Sequence, residues 1–508
     1  MKVPIQFEST AAIQASLDIA PISKIVGRAI DSARSAQKNW AATPISARLK
    51  IFRRVRALIA EQAGSLAHAA NAARHRPLAE ILTAEVLPLA EACRFLEREA
   101  QKILRPEKLG SRGRPLWLGG VTSEILREPL GVVLVIGPGN YPLFLPCVQA
   151  LQALAAGNAV VLKPGFGGSP AASAFAEIFA QAGLDNRLFQ VLPEAAAAAG
   201  CAIQSGMAKV VLTGSATTGE AVLHQCAKNL TPATVELSGC DAVFVRADAD
   251  LELVVRALAF GLRLNHSATC IAPRRVFVHR SRATELEGRL AQRFQAGSDV
   301  EISGFTSPHW FRLATEALAA GAHLVAGKVQ PDGGLHTPII FAGMNPAMRL
   351  AREDIFAPVL SLINVADDEE ALAFAAQCPF ALGATIFSRD ETAAWALASR
   401  IRAGVVMIND SIVPTADPRL PFGGRGRSGF GVTRGAEGLL AMTAPKVITL
   451  RRGKARPHFD PPRRTDAELF MAYIQTAHAR GWRNRWSGLK KLFHSLKLHL
   501  DSNQSNRV

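Results

Sequence analysis

The chain has 508 residues, of which 49% are hydrophobic and 20% charged, a balance typical of a folded globular protein. Its length is sufficient for two or three domains around a large core. Of the net charge of +16, residues 451–508 carry +9, with thirteen Lys and Arg against four Asp and Glu. Most of the excess charge therefore belongs to the tail, and because no nucleic-acid motif accompanies it, we expect no nucleic-acid partner.

Seven cysteines are scattered along the chain without a close pair: Cys93, Cys147, Cys201, Cys226, Cys240, Cys270 and Cys378. This spacing suits neither a disulfide framework nor a zinc site, so we predict no metal and a reducing compartment. No hydrophobic signal region follows Met1, and we expect a cytoplasmic protein.

Residues 25–105 are predicted to form successive amphipathic helices, as the pattern in 47–55 illustrates. Short apolar β-type runs then alternate with helical stretches. The first series is 131–136, 159–162, 209–213 and Ala233–Leu237, and the second is 241–245, 275–278, 359–363 and Val405–Ile408. This alternation predicts an α/β fold with two successive doubly wound α/β domains.

The stretch between Glu128 and Lys163 contains no charged residue and is long enough to span a bilayer. Glycine and proline interrupt it repeatedly, as in Gly137-Pro138-Gly139. Since elements buried on both faces of a parallel sheet also form continuous apolar runs, we interpret it as strand, loop, buried helix and strand.

Two side chains with catalytic potential lie 34 residues apart, Glu236 in Thr234-Val235-Glu236-Leu237 and Cys270 in Thr269-Cys270-Ile271-Ala272-Pro273. A thiol is a good nucleophile near neutral pH, and a carboxylate can activate the water that hydrolyses a thioester. Alone, such a cysteine is more often a core residue and such a glutamate a solvated strand end. The surrounding motifs decide between these interpretations.

The accompanying motifs are, in chain order, Gly137-Pro138-Gly139-Asn140-Tyr141-Pro142, Leu162-Lys163-Pro164, Leu212-Thr213-Gly214-Ser215 with Gly219, Glu353-Asp354-Ile355-Phe356-Ala357-Pro358-Val359, and Pro421-Phe422-Gly423-Gly424 leading to Ser428-Gly429. Together, over roughly residues 25–450, they resemble the aldehyde dehydrogenase superfamily. The residue sequence around Cys270 is most similar to that of the class 3 and fatty aldehyde dehydrogenase branch of this superfamily.

The resemblance implies a Rossmann-like cofactor domain, a catalytic domain and a small β oligomerisation arm. The cofactor domain is expected at 1–107 and 127–239, the catalytic domain at 240–444, and the arm at 108–126 and 445–452, before a C-terminal extension at 453–508. It also implies a homodimer or homotetramer, an aldehyde substrate and NAD or NADP as cofactor.

In the mechanism that the resemblance implies, the Cys270 thiolate attacks the aldehyde and Glu236 later activates water. The Asn140 amide and the Cys270 backbone N–H would hold the oxyanion. The cofactor-binding residues implied by motif position are Lys163, Gly214, Ser215, Gly219, Asp354 and Phe356. From the residues themselves, Gly214-Ser215 before a helix indicates a helix N-terminus suited to a pyrophosphate, although this spacing alone is weak evidence.

The sequence departs from the family pattern at several positions. Asp354 stands where the family usually has Glu, and Ser267 and Ala268 stand where it has Gly and Gln. Phe166 replaces the acid that would bind the adenosine ribose and repel an extra phosphate. The choice between NAD and NADP therefore stays open.

The predicted function is NAD(P)-dependent oxidation of an aldehyde to a carboxylate through a thiohemiacetal and a thioester on Cys270. A CoA-acylating dehydrogenase or acyl reductase is one alternative, but such relatives can dispense with the glutamate that is present here. A non-catalytic binding or scaffold protein is another, suggested by the altered motif residues and opposed by the complete catalytic set.

The tail combines a proline-containing linker, a helix predicted at 467–479 and a basic amphipathic segment. In that segment one stripe is expected to carry Trp486, Leu489, Leu492, Phe493, Leu496 and Leu500, opposite Lys490, Lys491, His494 and Lys497. Periodicity does not distinguish peripheral membrane contact from packing against protein, so both interpretations stay open.

Overall fold

A computed structural model describes residues 8–73, 75–295, 305–306, 308–335, 337–454, 456–463 and 465–505. The chain divides into two compact units, the first from Met1–Glu107 and Ile125–Val447 and the second from Lys108–Glu124 and Ile448–Val508. Within the described ranges, no helix is both long and apolar enough to cross a membrane.

The first unit begins with the predicted run of helices. They are α1 (Glu8–Ala42), α2 (Ile45–Glu61), α3 (Ala63–Ala70), α4 (Leu78–Ile81) and α5 (Leu87–Ile103). In α2 the side chains of Leu49, Phe52 and Val55 are buried at helical spacing, so one face of the helix packs into the core. A π-helical turn, Leu82–Val86, joins α4 to α5.

Two strands, β1 (Glu107–Leu109) and β2 (Val121–Pro129), precede the first large sheet. That sheet contains β3 (Val132–Ile136), β4 (Ala159–Lys163), β5 (Phe189–Val191), β6 (Lys209–Gly214) and β7 (Ala233–Leu237), alternating with α6 (Phe144–Ala155), α7 (Ser169–Gln181), α8 (Ala196–Gln204) and α9 (Ala216–Lys228). All five strands are parallel. The uncharged stretch is thus β3, α6 and β4, as expected, whereas β5 was not predicted.

The second large sheet is formed by residues 241–408 of the first unit. Its region contains β8 (Asp241–Val245), β9 (Pro273–His279), β10 (Phe305–Thr306), β11 (His323–Ala326), β12 (Gly334–Leu335), β13 (Ile339–Ala342), β14 (Val359–Val365), β15 (Phe380–Ala381), β16 (Gly383–Phe387) and β17 (Val405–Ile408), with α10 (Leu251–Arg263), α11 (Ala283–Gln295), α12 (Pro308–Ala319), α13 (Asp368–Ala375) and α14 (Glu391–Ala398). The seven-stranded order is β11-β13-β14-β9-β8-β16-β17, and only the β11–β13 pair is antiparallel.

The chain then returns to the first sheet. It forms β18 (Arg425–Gly426), β19 (Gly429–Phe430), α15 (Gly435–Leu440) and β20 (Thr443–Arg451). Strand β19 pairs antiparallel with β7, so the first sheet has the order β19-β7-β6-β3-β4-β5. Two largely parallel sheets with intervening helices confirm the predicted fold class, while the domain boundary expected at residue 239 stays a prediction.

The second unit contains two C-terminal helices, α16 (Asp466–His478) and α17 (Trp482–Ser505), and part of the three-stranded sheet β1-β2-β20. Within the arm expected at 108–126, a short 3₁₀ turn at Leu116–Leu118 precedes β2. The helix predicted at 467–479 is confirmed by α16.

The single apolar stripe predicted for α17 is divided in the structure. Leu489 and Leu492 are partly buried on the helix flank that carries Gly488, whereas Trp486 and Phe493 are exposed. Gly488 permits a close approach of α16, because a Cβ there would lie 2.6 Å from the backbone nitrogen of Thr476. The side chain of Leu500 lies outside the described residues.

Candidate active site

A cavity of about 610 Å³ in the first unit reaches the predicted nucleophile, Cys270. Its wall is mainly apolar and includes Phe144, Leu145, Phe260, Ile271, Ile412 and Phe422. The charged or titratable side chains of the lining are Glu80, Tyr141, Arg263, His266, Cys270 and Arg434. A mainly apolar cavity with few polar groups is the usual form of a small-molecule site.

The loop before Cys270 has an unusual backbone. Asn265, His266 and Ser267 have φ values of 49°, 50° and 60°, in the left-handed region that non-glycine residues seldom adopt. Arg274 donates hydrogen bonds of 2.7 Å to both the Oγ and the carbonyl oxygen of Ser267. The serine at the usual glycine position thus helps to hold the turn that orients Cys270.

Asn140 lies against this loop. Its Nδ2 donates a 2.9 Å hydrogen bond to the carbonyl oxygen of Ala268, two residues before Cys270. Asn265 Nδ2 in turn donates to the carbonyl oxygen of Asn140 at 2.9 Å. The Asn140 amide has two hydrogens and this bond uses one, so the geometry is compatible with a second bond to an oxyanion.

Glu236 lies near the carboxyl end of β7 and is 2% exposed. Among the described residues its Oε1 has no hydrogen-bond partner. Burial raises the pKa of Glu236 to about 7, although the positive charge of Arg434 opposes this increase. Burial and the charges of Glu236 and Asp241 likewise raise the pKa of the Cys270 thiol well above its usual value.

Arg434 is the buried cation of this cavity, and sequence reasoning did not identify it. Its guanidinium carbon lies 4.4 Å from the centre of the Phe422 ring, and its Nη1 donates to the carbonyl oxygen of Thr415. The backbone N–H of Arg434 donates to Gln152 Oε1 at 3.1 Å, which anchors the residue to α6. Several glycines and other basic residues surround Arg434 in the sequence, and this pattern does not indicate that Arg434 is buried.

The predicted pyrophosphate turn has the expected form. Strand β6 ends at Gly214, and Ser215 caps α9 by accepting a 3.1 Å hydrogen bond from the Thr218 N–H. Gly219 faces β7, where a Cβ would lie 2.7 Å from Leu237 Cδ1. Ser215 and Thr218 are exposed, so the first turn of α9 is accessible to an anionic group.

Lys163 ends β4 at the same edge of the sheet. It is partly buried, which lowers its pKa, while the charge of Glu194 acts in the opposite direction. Glu194 accepts hydrogen bonds from the Gly167 and Ser169 N–H groups at 2.9 and 2.7 Å, at the start of α7. Phe166, directly before Gly167 in sequence, is 87% exposed. Glu194 therefore supplies a carboxylate in this region, which sequence reasoning missed because it follows a different strand, β5.

Asp354 and Phe356 belong to the loop before β14. Asp354 forms a buried ion pair with Arg274 (3.3 Å) and accepts a 2.9 Å hydrogen bond from the Phe356 N–H. Phe356 has a φ of 53°. Because Arg274 also holds Ser267, one arginine links this loop to the Cys270 loop. The nicotinamide-side role of Asp354 and Phe356 stays a prediction.

Buried polar contacts in and behind the cavity wall also escaped sequence reasoning. Glu85, on the π-helical turn, is fully buried, pairs with Arg76 and accepts the backbone N–H of Leu143 at 2.9 Å. The Tyr141 hydroxyl lies 2.7 Å from Thr269 Oγ1, next to Cys270. These partners are distant in sequence, and no spacing rule connects them.

These features are together typical of a dinucleotide-dependent oxidoreductase with a reactive cysteine. The model of the aldehyde dehydrogenase family matches residues 21–448. A 4,4'-diapolycopene aldehyde oxidase of Methylomonas sp is 28% identical over 509 residues, covering 93% of this chain and 96% of that protein.

Solved structures agree with this match. NAD-dependent aldehyde dehydrogenase from Sinorhizobium meliloti superimposes with a TM-score of 0.79 at 27% identity, covering 86% of this chain and 89% of that one. NADP-dependent glyceraldehyde-3-phosphate dehydrogenase from Bacillus halodurans C-125, complexed with NADP, gives 0.77 at 29% identity, covering 84% and 91%.

The chain belongs to the aldehyde dehydrogenase family. It is an NAD- or NADP-dependent enzyme that oxidises an aldehyde to a carboxylate, as the sequence predicted.

Proposed function

We propose that the enzyme oxidises a hydrophobic aldehyde, with Cys270 as nucleophile and Glu236 as general base. The observation that carries this proposal is the mainly apolar cavity of about 610 Å³ whose lining includes Cys270. Apolar walls gain free energy by removing an aliphatic or aromatic chain from water. A hydrophobic substrate also fits the similarity of the Cys270 motif to the class 3 and fatty aldehyde branch.

The acid–base chemistry follows from the buried pair. A thiol whose pKa burial has raised needs a base to accept its proton, and Glu236, with a pKa of about 7, is matched to that task near neutral pH. The Cys270 sulfur then bonds to the aldehyde carbon. Asn140 Nδ2 and the Cys270 N–H donate to the oxyanion of the resulting thiohemiacetal.

The residues present fit NAD or NADP, because the accessible first turn of α9 and Lys163 lie at one edge of the parallel sheet. Gly214, Ser215 and Gly219 would hold the pyrophosphate end, Lys163 the adenosine ribose, and Asp354 with Phe356 the nicotinamide end. When bound, the cofactor supplies the hydride acceptor that converts the thiohemiacetal into a thioester. Glu236 releases the thiol proton to solvent, and as a carboxylate it then takes a proton from the water that hydrolyses this thioester to a carboxylate.

Assays of the purified enzyme with short, long-chain and aromatic aldehydes, each with NAD and with NADP, test the substrate class. We expect kcat/KM to rise with the apolar surface of the aldehyde. A strong preference for short, charged aldehydes would contradict the proposal. Including CoA in the assay tests the acyl-transfer alternative, since a carboxylate product in its presence supports hydrolysis.

We also propose that the β1-β2-β20 sheet mediates assembly into a homodimer or homotetramer. In the second unit, Leu116, Trp117, Ile448 and Leu450 are exposed apolar side chains. Such a concentration of exposed apolar side chains, on β20 and on the 3₁₀ turn before β2, is typical of a protein interface. We expect the double variant Ile448→Lys, Leu450→Lys to lower the mass measured by light scattering, and an unchanged mass would contradict this assignment.

For the C-terminal helices we propose peripheral contact with an anionic membrane surface, in a cytoplasmic enzyme. Phe470, Met471 and Ile474 of α16 and Trp482, Trp486 and Phe493 of α17 are exposed apolar side chains. The exposed cations of the same hairpin are Arg480, Arg483, Arg485, Lys490, Lys491 and Lys497. Apolar side chains flanked by cations match the interface of an anionic bilayer, where each cation contributes about 1 kcal/mol.

Co-sedimentation with phosphatidylserine-containing vesicles at low and high salt tests the membrane contact. We expect the intact enzyme to bind at low salt and the Trp486→Ala, Phe493→Ala variant to lose most of that binding. Trp395→Ala is the matched control, because Trp395 is 70% exposed in the first unit. If the intact enzyme does not sediment with vesicles, or if the variant instead changes its oligomeric mass, the helices pack against protein.

A further inference from the structure

Arg434 is a buried cation that takes no part in the catalytic steps proposed for Cys270, Glu236 and Asn140. Its side chain is 5% exposed, and its Nε is buried without a hydrogen-bond partner among the described residues. Within those residues no carboxylate lies within 4.0 Å of its guanidinium. A buried cation is costly unless a negative charge compensates it, and an arginine does not escape that cost by losing its proton near neutral pH.

The position of Arg434 is well defined. The rings of Phe422 and Phe144 lie 4.4 and 5.7 Å from its guanidinium carbon, and Thr415 accepts a hydrogen bond from Nη1. Gln152 holds the backbone on both sides, by accepting from the Arg434 N–H and donating to the carbonyl oxygen of Gly435 at 3.2 Å. The cation is therefore fixed in the wall of the cavity that contains Cys270.

Cys270 lines the same cavity as Arg434, and Oε1 of the buried Glu236 has no hydrogen-bond partner among the described residues, so the reacting pair is the negative charge that acts on Arg434. Both Cys270 and Glu236 interact with the Arg434 charge, which lowers the pKa of each group, while burial raises both. A pair that shares one proton carries a single negative charge in either arrangement, as Cys–SH with a carboxylate or as thiolate with a carboxylic acid. One fixed cation balances that charge before and after the proton moves.

We propose that the buried Arg434 guanidinium compensates the single negative charge shared by Cys270 and Glu236, and so keeps this pair in its reactive ionisation state near neutral pH. The inference rests on the proposed roles of Cys270 and Glu236. The charge of Arg434 acts on these two residues and not on the substrate, so Arg434 is a positioning residue and not a catalytic one. The proton passes from Cys270 Sγ to the Glu236 carboxylate, and no other bond is broken. The net charge of Arg434, Cys270 and Glu236 together stays zero.

Other titratable groups also face Cys270. They are Asp241 at the start of β8, Tyr141 before α6, and the cavity residues Glu80, Arg263 and His266. Asp241 is buried, accepts a 3.1 Å hydrogen bond from the Gly383 N–H, and its charge raises the thiol pKa. It therefore acts on Cys270 in the direction opposite to Arg434, and this difference of sign makes it useful in a test.

The experiment measures the rate at which iodoacetamide, an uncharged reagent, alkylates Cys270 between pH 6 and pH 10. The alkylation limb is the part of this pH profile in which the rate rises with pH. Peptide mass spectrometry follows the modified Cys270 in the enzyme without cofactor or aldehyde, so the readout does not depend on turnover. Arg434→Met removes the charge and retains apolar packing between the phenyl rings, and Arg434→Gln is a second neutral variant. Arg434→Lys retains the charge in a different shape.

We expect the alkylation limb of both neutral variants to move to higher pH by about one unit or more, because the pair then takes up a proton to avoid an uncompensated buried charge. Arg434→Lys should stay close to the wild type. Asp241→Asn should move the limb to lower pH. Arg263→Met is the matched control, since this cavity arginine is solvent-exposed and its charge is screened, and its limb should coincide with that of the wild type.

A limb unchanged in folded Arg434→Met or Arg434→Gln overturns the inference, and so does a shift in Arg434→Lys as large as in the neutral variants, because shape would then matter and charge would not. Thermal melting of each variant identifies any loss of folding. If Cys270→Ala retained aldehyde oxidation, the proposed catalytic role would be wrong, whereas the alkylation limb would still report the effect of Arg434 on the thiol.

Discussion

The two ends of the active site differ in how their charges are treated. At the reaction end, Glu236 and Arg434 are nearly inaccessible to water, and burial shifts the pKa of Cys270, Glu236 and Arg434. At the predicted cofactor end, Ser215 and Phe166 are exposed, and Ser215 caps the first turn of α9. We expect substitutions at the buried end to have large effects on rate, and those at the exposed end to alter selectivity modestly.

The largest effect is expected for Cys270→Ala. Removal of the nucleophile should reduce kcat by at least about a thousandfold, because the covalent route is lost, while cofactor affinity measured by fluorescence titration stays nearly unchanged. Cys201→Ala is the matched control, since Cys201 is also a partly exposed free thiol but lies outside the cavity. Turnover near the wild-type rate in Cys270→Ala would show that Cys270 is not the nucleophile and that the buried end does not control the rate.

A smaller but distinctive loss is expected for Glu236→Gln. Loss of the general base should lower kcat by roughly a hundredfold to ten-thousandfold, and one equivalent of reduced cofactor should still form in a burst, but more slowly than in the wild type because Glu236 also accepts the Cys270 proton. Stopped-flow absorbance measures this burst. A burst at the wild-type rate would mean that Glu236 serves only the water step and that the Cys270 proton has another acceptor.

The pH dependence of the wild-type enzyme examines the same group. Burial raises the pKa of Glu236 to about 7, and the base must be ionised, so kcat should increase as the pH rises through about 7. In Glu236→Gln this acidic limb should disappear from the residual rate. A limb near pH 4.5 in the wild type would place the base in a solvated environment instead.

Asn140→Ala should reduce kcat by about a hundredfold to a thousandfold through the loss of an oxyanion donor. The bond to the Ala268 carbonyl oxygen is lost as well, so the position of the Cys270 loop is a competing cause. Iodoacetamide alkylation separates the two, since unchanged Cys270 reactivity with a lower kcat supports an oxyanion role. Equal losses in both measurements would indicate a structural role alone.

The smallest effect belongs to the cofactor end. Glu194→Gln removes a negative charge near Lys163 and should raise the preference for NADP over NAD by about tenfold, because the carboxylate repels an additional phosphate. Phe166→Glu should shift the preference towards NAD. Ratios of kcat/KM with the two cofactors provide the measurement, and ratios unchanged in both variants would assign selectivity to another part of the site.

Much of this enzyme was accessible to sequence reasoning because the relevant physics is local. Buried parallel strands such as β3 and β7 are largely apolar runs. The Gly214-Ser215 turn indicates where α9 begins. The motifs around Cys270 and Glu236 identified the family and its reaction. In contrast, β5 is only three residues long and carries too little periodic signal to be recognised.

What the sequence by itself determined was the fold class, the family and a short set of candidate catalytic residues, since these depend on residue types at nearby positions. Only the tertiary structure decided the electrostatics. Arg434 lies 164 residues after Cys270, and Glu194 follows a different strand from Lys163, so neither relationship is encoded in a local pattern. Burial and charge depend on which segments meet in space, and those contacts set the pKa of Glu236 and Cys270.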